Sequence, residues 1–287
     1  MDNLKKKIIG FQKSEITEYH IYSKLADRTR DDANSKILQD IADDELEHYK
    51  FWQEQSKKEV KPVKWKVFLF YWISVIFGLT FGIKLMEKGE EDAQDAYTEM
   101  LEDIPEVKTL IDDEDHHEQE LIDLLEEEKL EYVGSIVLGL NDALVELTGT
   151  LAGLSFALKN TSLIAVAGMI TGIAASFSMG ASEYLSTKSE SEHNHALRSS
   201  LYTGGAYIVT VFLLILPYLL VDNFLIALLL TVITAIVIIA VFNFYISVAK
   251  DLNFKKRFME MASISLGVAF LSFIIGFLVR TLLGVDI

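Results

Sequence analysis

The sequence predicts an all-α protein in two unlike parts: a four-helix bundle over residues 1–132 and a five-helix membrane-spanning unit over 133–287. Three observations predict it. The formal charge is −16 although 51% of residues are apolar, and acids outnumber bases 33 to 18 up to Glu131 but only 9 to 8 from Tyr132 onward. Five apolar runs of bilayer-crossing length fill the second part. The first part carries, twice over, a single glutamate followed by a Glu-x-x-His pattern.

Helical periodicity runs through the first part with breaks at Arg30–Asn34, Glu59–Val63 and Asp103–Glu106, giving four helices in two antiparallel hairpins. In the first hairpin Glu15 precedes Tyr22 by seven residues, and the second helix supplies Glu45 and His48. In the second hairpin Glu87 and Glu90 compete for the equivalent place on the third helix. Tyr97 repeats the seven-residue spacing after Glu90, and the fourth helix supplies Glu114 and His117. Glu and His three apart share one helix face. Two such helices facing two helices with single glutamates enclose a pair of metal ions between bridging carboxylates and terminal imidazoles, the di-iron or di-manganese arrangement.

An acidic chain also produces Glu-x-x-His by chance, as Glu190 with His193 and Glu192 with His195 do in a polar loop. The first-part matches differ in their joint placement on helices two and four, opposite the Glu-to-Tyr repeat on helices one and three. On these residues the first part resembles the rubrerythrin branch of the ferritin-like superfamily. The resemblance implies a di-iron site (Fe²⁺/Fe³⁺, or Mn²⁺) held by Glu15, Glu45, His48, Glu90, Glu114 and His117, with Glu87 the competing helix-three ligand. Glu18 and Glu118 lie one turn from ligands. The cysteines of a rubredoxin-type electron-transfer module are missing.

The apolar stretch Val67–Ile83 is 17 residues long, aromatic-rich and bounded by Lys64, Lys66 and Lys84. A full crossing would put the two sets of metal ligands on opposite sides of the membrane. It is therefore expected to start the third helix and to lie in the membrane interface, with Phe68, Phe70, Tyr71 and Trp72 as anchors. A sixth spanning helix is the alternative. The acidic balance of the first part argues against nucleic acid or an anionic lipid surface as a partner and suits cations or simple solubility. With no cysteine in the chain, thiolate metal sites and disulfides are excluded. Met1–Gly10 is polar and basic without an apolar run, so no cleavable signal peptide is expected.

The expected spans are Val133–Leu158, Ser162–Leu185, Leu201–Val221, Phe224–Ala249 and Phe258–Leu283. Placing the first part in the cytosol puts Lys188, Arg198, Lys250, Lys255, Lys256 and Arg257 in the inside loops, with the C-terminus outside. Asp142 and Glu146 stand inside the first span, four apart on one face. A charge at depth costs several kcal/mol and usually lines a pathway. Met179 and Glu183 repeat the spacing on the second span, adding a thioether to the carboxylates, a donor set suited to Fe²⁺ and its neighbours. Packing would explain Met179, and a place at the interface would explain Glu183. Gly149 with Gly153, and Gly168 with Gly172, give small-residue faces for close packing, within one chain or across a dimer.

The segments Leu138-Gly-Leu-Asn-Asp-Ala-Leu-Val-Glu and Ser178-Met-Gly-Ala-Ser-Glu-Tyr-Leu-Ser look like the first- and second-helix motifs of vacuolar iron transporters. That resemblance covers Tyr132–Ile287. It implies a homodimer with a pathway between subunits and proton-coupled export of Fe²⁺ or Mn²⁺ from the cytosol, with Asp142, Glu146, Met179 and Glu183 along the route. Ala143 replaces the glycine of the usual Asp-Gly pair, and Ser182 replaces that of Gly-Glu-Tyr. The Glu-rich insertion of plant members is reduced to a short loop, Ser186–Ser200, and the first part is a candidate to take its place. The combination resembles the membrane-bound ferritin fusions of prokaryotes, which implies a prokaryotic cell membrane. The expected function is a metal transporter whose cytosolic unit captures, delivers or senses the cation. The alternative is a membrane-anchored di-iron ferroxidase or peroxidase.

Overall fold

The computed structural model describes residues 2–88, 97, 104–123, 132–190, 193–250 and 252–283. Among them every regular element is a helix, and the chain divides into two units, Met1–Glu127 and Glu128–Ile287.

The first unit opens with a helical hairpin, α1 (Asp2–Arg28) packed along α2 (Asp32–Ser56). The Asp31 side chain caps α2 by accepting from the Asn34 amide, filling one of the orphan donors at a helix start. Lys57, in the left-handed region with φ 53°, ends it. Two further helices follow, α3 (Lys64–Phe77) and α4 (Leu79–Glu87), and α5 (Val107–Asp123) packs against α2.

The expected third helix is not continuous. It breaks at Gly78, whose φ of 109° and ψ of 151° suit only glycine. A Cβ on Gly82 would lie 2.8 Å from the Ser74 Cα, so the two pieces meet closely around the break. At 14 residues α3 is about 21 Å long by its rise per residue. That is short of the ~30 Å hydrocarbon core, and neither α3 nor α4 is among the described helices long and apolar enough to cross a membrane.

Two apolar clusters hold this unit. Ile21, Tyr22, Leu25, Leu38, Ile41, Val67, Ile83 and Met86 form one, and Ile8, Trp52, Tyr97, Val107 and Leu110 the other. Glu15, Glu45 and His48 fall in sequence between residues of the two clusters, and Glu114 follows Leu110 by one turn, so these polar side chains form a layer beside the apolar packing.

The second unit contains α6 (Val133–Leu158), α7 (Thr161–Glu190), α8 (His193–Leu220), α9 (Phe224–Ala249) and α10 (Phe254–Leu283). All five are long and apolar enough to cross a membrane. Three outrun their expected spans: α7 continues to Glu190, α8 starts at His193 rather than Leu201, and α10 at Phe254. Much of the loop expected at Ser186–Ser200 is thus helix, since polar helix ends keep satisfying their own backbone beyond the apolar region.

Helix α6 is central and packs against the other four. Half of its most apolar window is buried, against 22% for α9 and α10, so the carboxylate-bearing helix is the most enclosed. The glycine faces are used within this chain. Gly149 and Gly153 meet Val268 and Ser272 of α10, and Gly172 meets Val211 of α8. A Cβ on Gly139 would come within 2.1 Å of the Thr203 carbonyl, and one on Gly276 within 2.2 Å of the Gly153 carbonyl. Hydroxyl bonds tie the same crossings: Thr203 Oγ1 donates to the Ser135 carbonyl and Ser265 Oγ to that of Leu144.

Candidate metal centre and membrane cleft

In the first unit Glu15 of α1, Glu45 and His48 of α2, and Glu114 of α5 each bring a ligand atom within 4.8 Å of the others, a group that can hold a metal ion. His117 joins from α5. Its Nδ1 lies 3.8 Å from Glu45 and 3.9 Å from Glu114, and the two imidazole centroids are 5.9 Å apart. His48 Nδ1 lies 3.5 Å from Glu114, 3.8 Å from Glu45 and 3.9 Å from Glu15. Five of the seven residues expected at this site are thus brought together. Glu90 and the side chains of Glu87 and Glu118 lie outside the described residues.

The histidines are oriented by two residues that the sequence reading missed. His117 Nε2–H donates to Asp44 at 2.9 Å, and His48 Nε2–H to Asp113 at 3.3 Å. Each aspartate directly precedes the ligand glutamate of the opposite helix, so the repeated unit is Asp-Glu-x-x-His and its straps cross between α2 and α5. An imidazole that donates through one nitrogen to a carboxylate offers the other as a ligand. Both Nδ1 atoms are buried and have no hydrogen-bond partner among the described residues. Buried ring nitrogens facing carboxylates at 3.5–3.9 Å fit an ion between them.

Glu15 is also gripped from the apolar side. Trp52 Nε1–H donates to its Oε1 at 3.2 Å, and the Tyr97 hydroxyl donates to the same atom. Phe11, Trp52 and Tyr97 form a ring cluster behind it. Burial, with Glu45 and Glu114 close by, holds the Glu15 carboxyl well above its usual range. Burial opposes charge on His48, but Glu114, Glu15 and Asp113 outweigh it and push the imidazole up to about 9. Without metal the layer therefore retains protons.

In the second unit Asp142 and Met179 line one cleft of about 600 Å³ between α6, α7, α9 and α10. The cleft runs from Gly134, in the first turn of α6, to Val145, and along Arg257, Glu260, Met261 and Ile264 at the start of α10. Asn141 and Asn243 complete its polar lining, and Asn141 Oδ1 is buried without a hydrogen-bond partner among the described residues. Asn141 was not singled out although it stands in the Leu138–Glu146 motif, and Asn243, Glu260 and Met261 were missed because they belong to no motif. Glu146 and Glu183 do not line this cleft. Glu146 accepts from the buried Tyr207 hydroxyl at 2.8 Å yet is itself exposed, and Glu183 accepts from Ser135 Oγ at 2.8 Å.

No curated protein matches the chain. Residues 133–200, which include Asp142, Glu146, Met179 and Glu183, match the model of the VIT family. This similarity at the start of the five-helix unit, together with five helices long and apolar enough to cross a membrane, supports an integral membrane protein and points to membrane metal-ion transport.

Proposed function

We propose that the protein exports Fe²⁺ or Mn²⁺ from the cytosol by proton antiport, and that its first unit is a ferritin-like four-helix domain that captures the cation. One observation carries the reading: a single chain joins a sealed Glu–His layer, with two imidazole nitrogens left without hydrogen bonds, to a VIT family domain whose apolar helices hold carboxylates. Carboxylate with imidazole is a donor set for Fe²⁺ and Mn²⁺. Glu15, Glu45, His48, Glu114 and His117 would hold the cation, and Glu90 or Glu87 would complete the set from the third helix. The bound cation replaces the protons that this layer otherwise keeps.

In the membrane unit Asp142 and Met179 receive the cation in the cleft. A carboxylate there gives up its proton when the dication arrives, and reprotonation releases the dication. Arg257 at the cleft, with Lys255 and Lys256 beside it, supports a cytosolic opening, since basic residues collect on that side. Glu146 supports a homodimer: a carboxylate exposed on an apolar helix costs several kcal/mol in lipid, and a second copy would cover it.

The test is metal-dependent proton flux in proteoliposomes under an imposed pH gradient. Asp142→Asn is expected to abolish coupled flux while metal binding by the first unit is unchanged; full flux in that variant refutes the pathway. The second reading, a membrane-anchored oxidase, draws on the Trp52–Tyr97 ring cluster bonded to Glu15. Oxygen consumption with Fe²⁺ and no proton flux in the wild type would favour it.

A further inference from the structure

We propose that the exposed face of α3, with the lysine segment leading into it, docks the first unit onto the surface of an anionic lipid bilayer. Helix α3 is apolar on both sides. Val67 and Ser74 are buried, with Phe70 and Tyr71 packed against residues of α1 and α2. On the other side Trp65, Phe68, Trp72 and Ile76 recur at helical spacing and are 63%, 67%, 43% and 60% exposed, with Leu69 and Phe77 beside them. Rows of large apolar side chains open to water mark an interaction surface.

The charge around this face identifies the occupant. Lys57, Lys58, Lys61, Lys64 and Lys66 are all exposed and accompanied only by Glu59, in a unit where acids otherwise dominate. The segment is fastened in place: Gln12 Nε2 donates to the Lys58 carbonyl at 2.8 Å, Tyr49 hydroxyl to that of Val60 at 3.3 Å, and the Val63 amide to Thr17 Oγ1 at 3.0 Å. Aromatic side chains beside a cluster of lysines match the boundary between acyl chains and acidic headgroups. A second copy meeting this face about a two-fold axis would bring two sets of lysines together, like charge against like. The remainder of the unit is acidic on balance, so acidic headgroups favour the orientation that presents this face.

The chain has no cysteine, so a spin label can be placed at one site in the full-length protein. Phe68→Cys and Trp72→Cys, two independent variants, would be labelled in nanodiscs of phosphatidylcholine with or without phosphatidylglycerol, with exposed Asp40→Cys as the aqueous control. At 68 and 72 the label should collide preferentially with oxygen, at 40 with a water-soluble nickel chelate. Removing the acidic lipid, or K61E/K64E/K66E, should lower the docked-to-undocked ratio at least ~tenfold. Labels at 68 and 72 that behave like the control overturn the proposal. So do short label-to-label distances between copies with oxygen excluded, which assign the face to a second copy. Docking indifferent to lipid charge and to the lysines overturns the headgroup recognition. None of these readouts involves metal, so a failure here leaves the transport proposal intact, and the reverse holds.

Discussion

The two units treat carboxylates in opposite ways. In the first, Glu15 and Glu45 are buried and surrounded by further ligands, oriented imidazoles and aromatic rings. In the second, Asp142 is only partly buried in a cleft, and Glu146 is exposed. Many fixed donors sealed from water favour holding a cation. Few donors on an open path let it enter and leave, which conduction requires. The difference teaches that the same residue types are suited to retention or to transit according to how completely the fold closes over them.

The largest test of this contrast removes a proposed ligand from the Glu–His layer. Glu45→Gln should weaken metal binding by the first unit at least ~100-fold, since it removes an anion shared between both histidines. Isothermal titration with Mn²⁺ checks this. Transport should then need more metal but keep its maximal rate if the unit delivers cation, and should stay low at every concentration if the unit gates the membrane path.

A smaller effect is expected at the straps. Asp113→Asn and Asp44→Asn leave every ligand in place but loosen the imidazoles, and should cost ~10–100-fold in affinity each. An equal loss in Asp142→Asn by the same titration would break the proposed independence of the two units.

The smallest effect concerns pH. His48 sits at about 9 in the folded, metal-free protein and near ~6.5 unfolded, so the folded state binds more protons between those values. Its stabilising contribution is complete below ~6.5 and disappears as pH rises through 9. Glu15, raised by burial, acts in the same direction from the carboxylate range upward. Thermal melts of the metal-free protein should therefore fall across this window, and Mn²⁺ should restore them increasingly with pH. A melting temperature that rises with pH before metal is added contradicts the protonated layer.

Much of this was legible in the sequence because it is local. Charge, apolar run length and the Glu-x-x-His repeats sit within windows of a few turns, and α6 and α9 have their expected bounds. The straps were half legible: an aspartate precedes each ligand glutamate, but only the packing of α2 against α5 shows that each serves the other helix's histidine. Asn243, Glu260 and Met261 were illegible, since they lie a hundred or more residues from Asp142 and meet it only through helix packing. Gly78 could be seen, but one glycine in an apolar run does not reveal whether the chain will use its positive φ.

The crossed straps also have a consequence for synthesis. A nascent chain that has made only α1 and α2 possesses Glu15, Glu45 and His48, but the aspartate that aims His48 lies 65 residues downstream. Neither α2 nor α5 alone carries both a histidine and the aspartate that orients it. Under the proposed function, ion capture would thus wait for completed folding, and a truncated or stalled product would not compete with the finished protein for scarce metal.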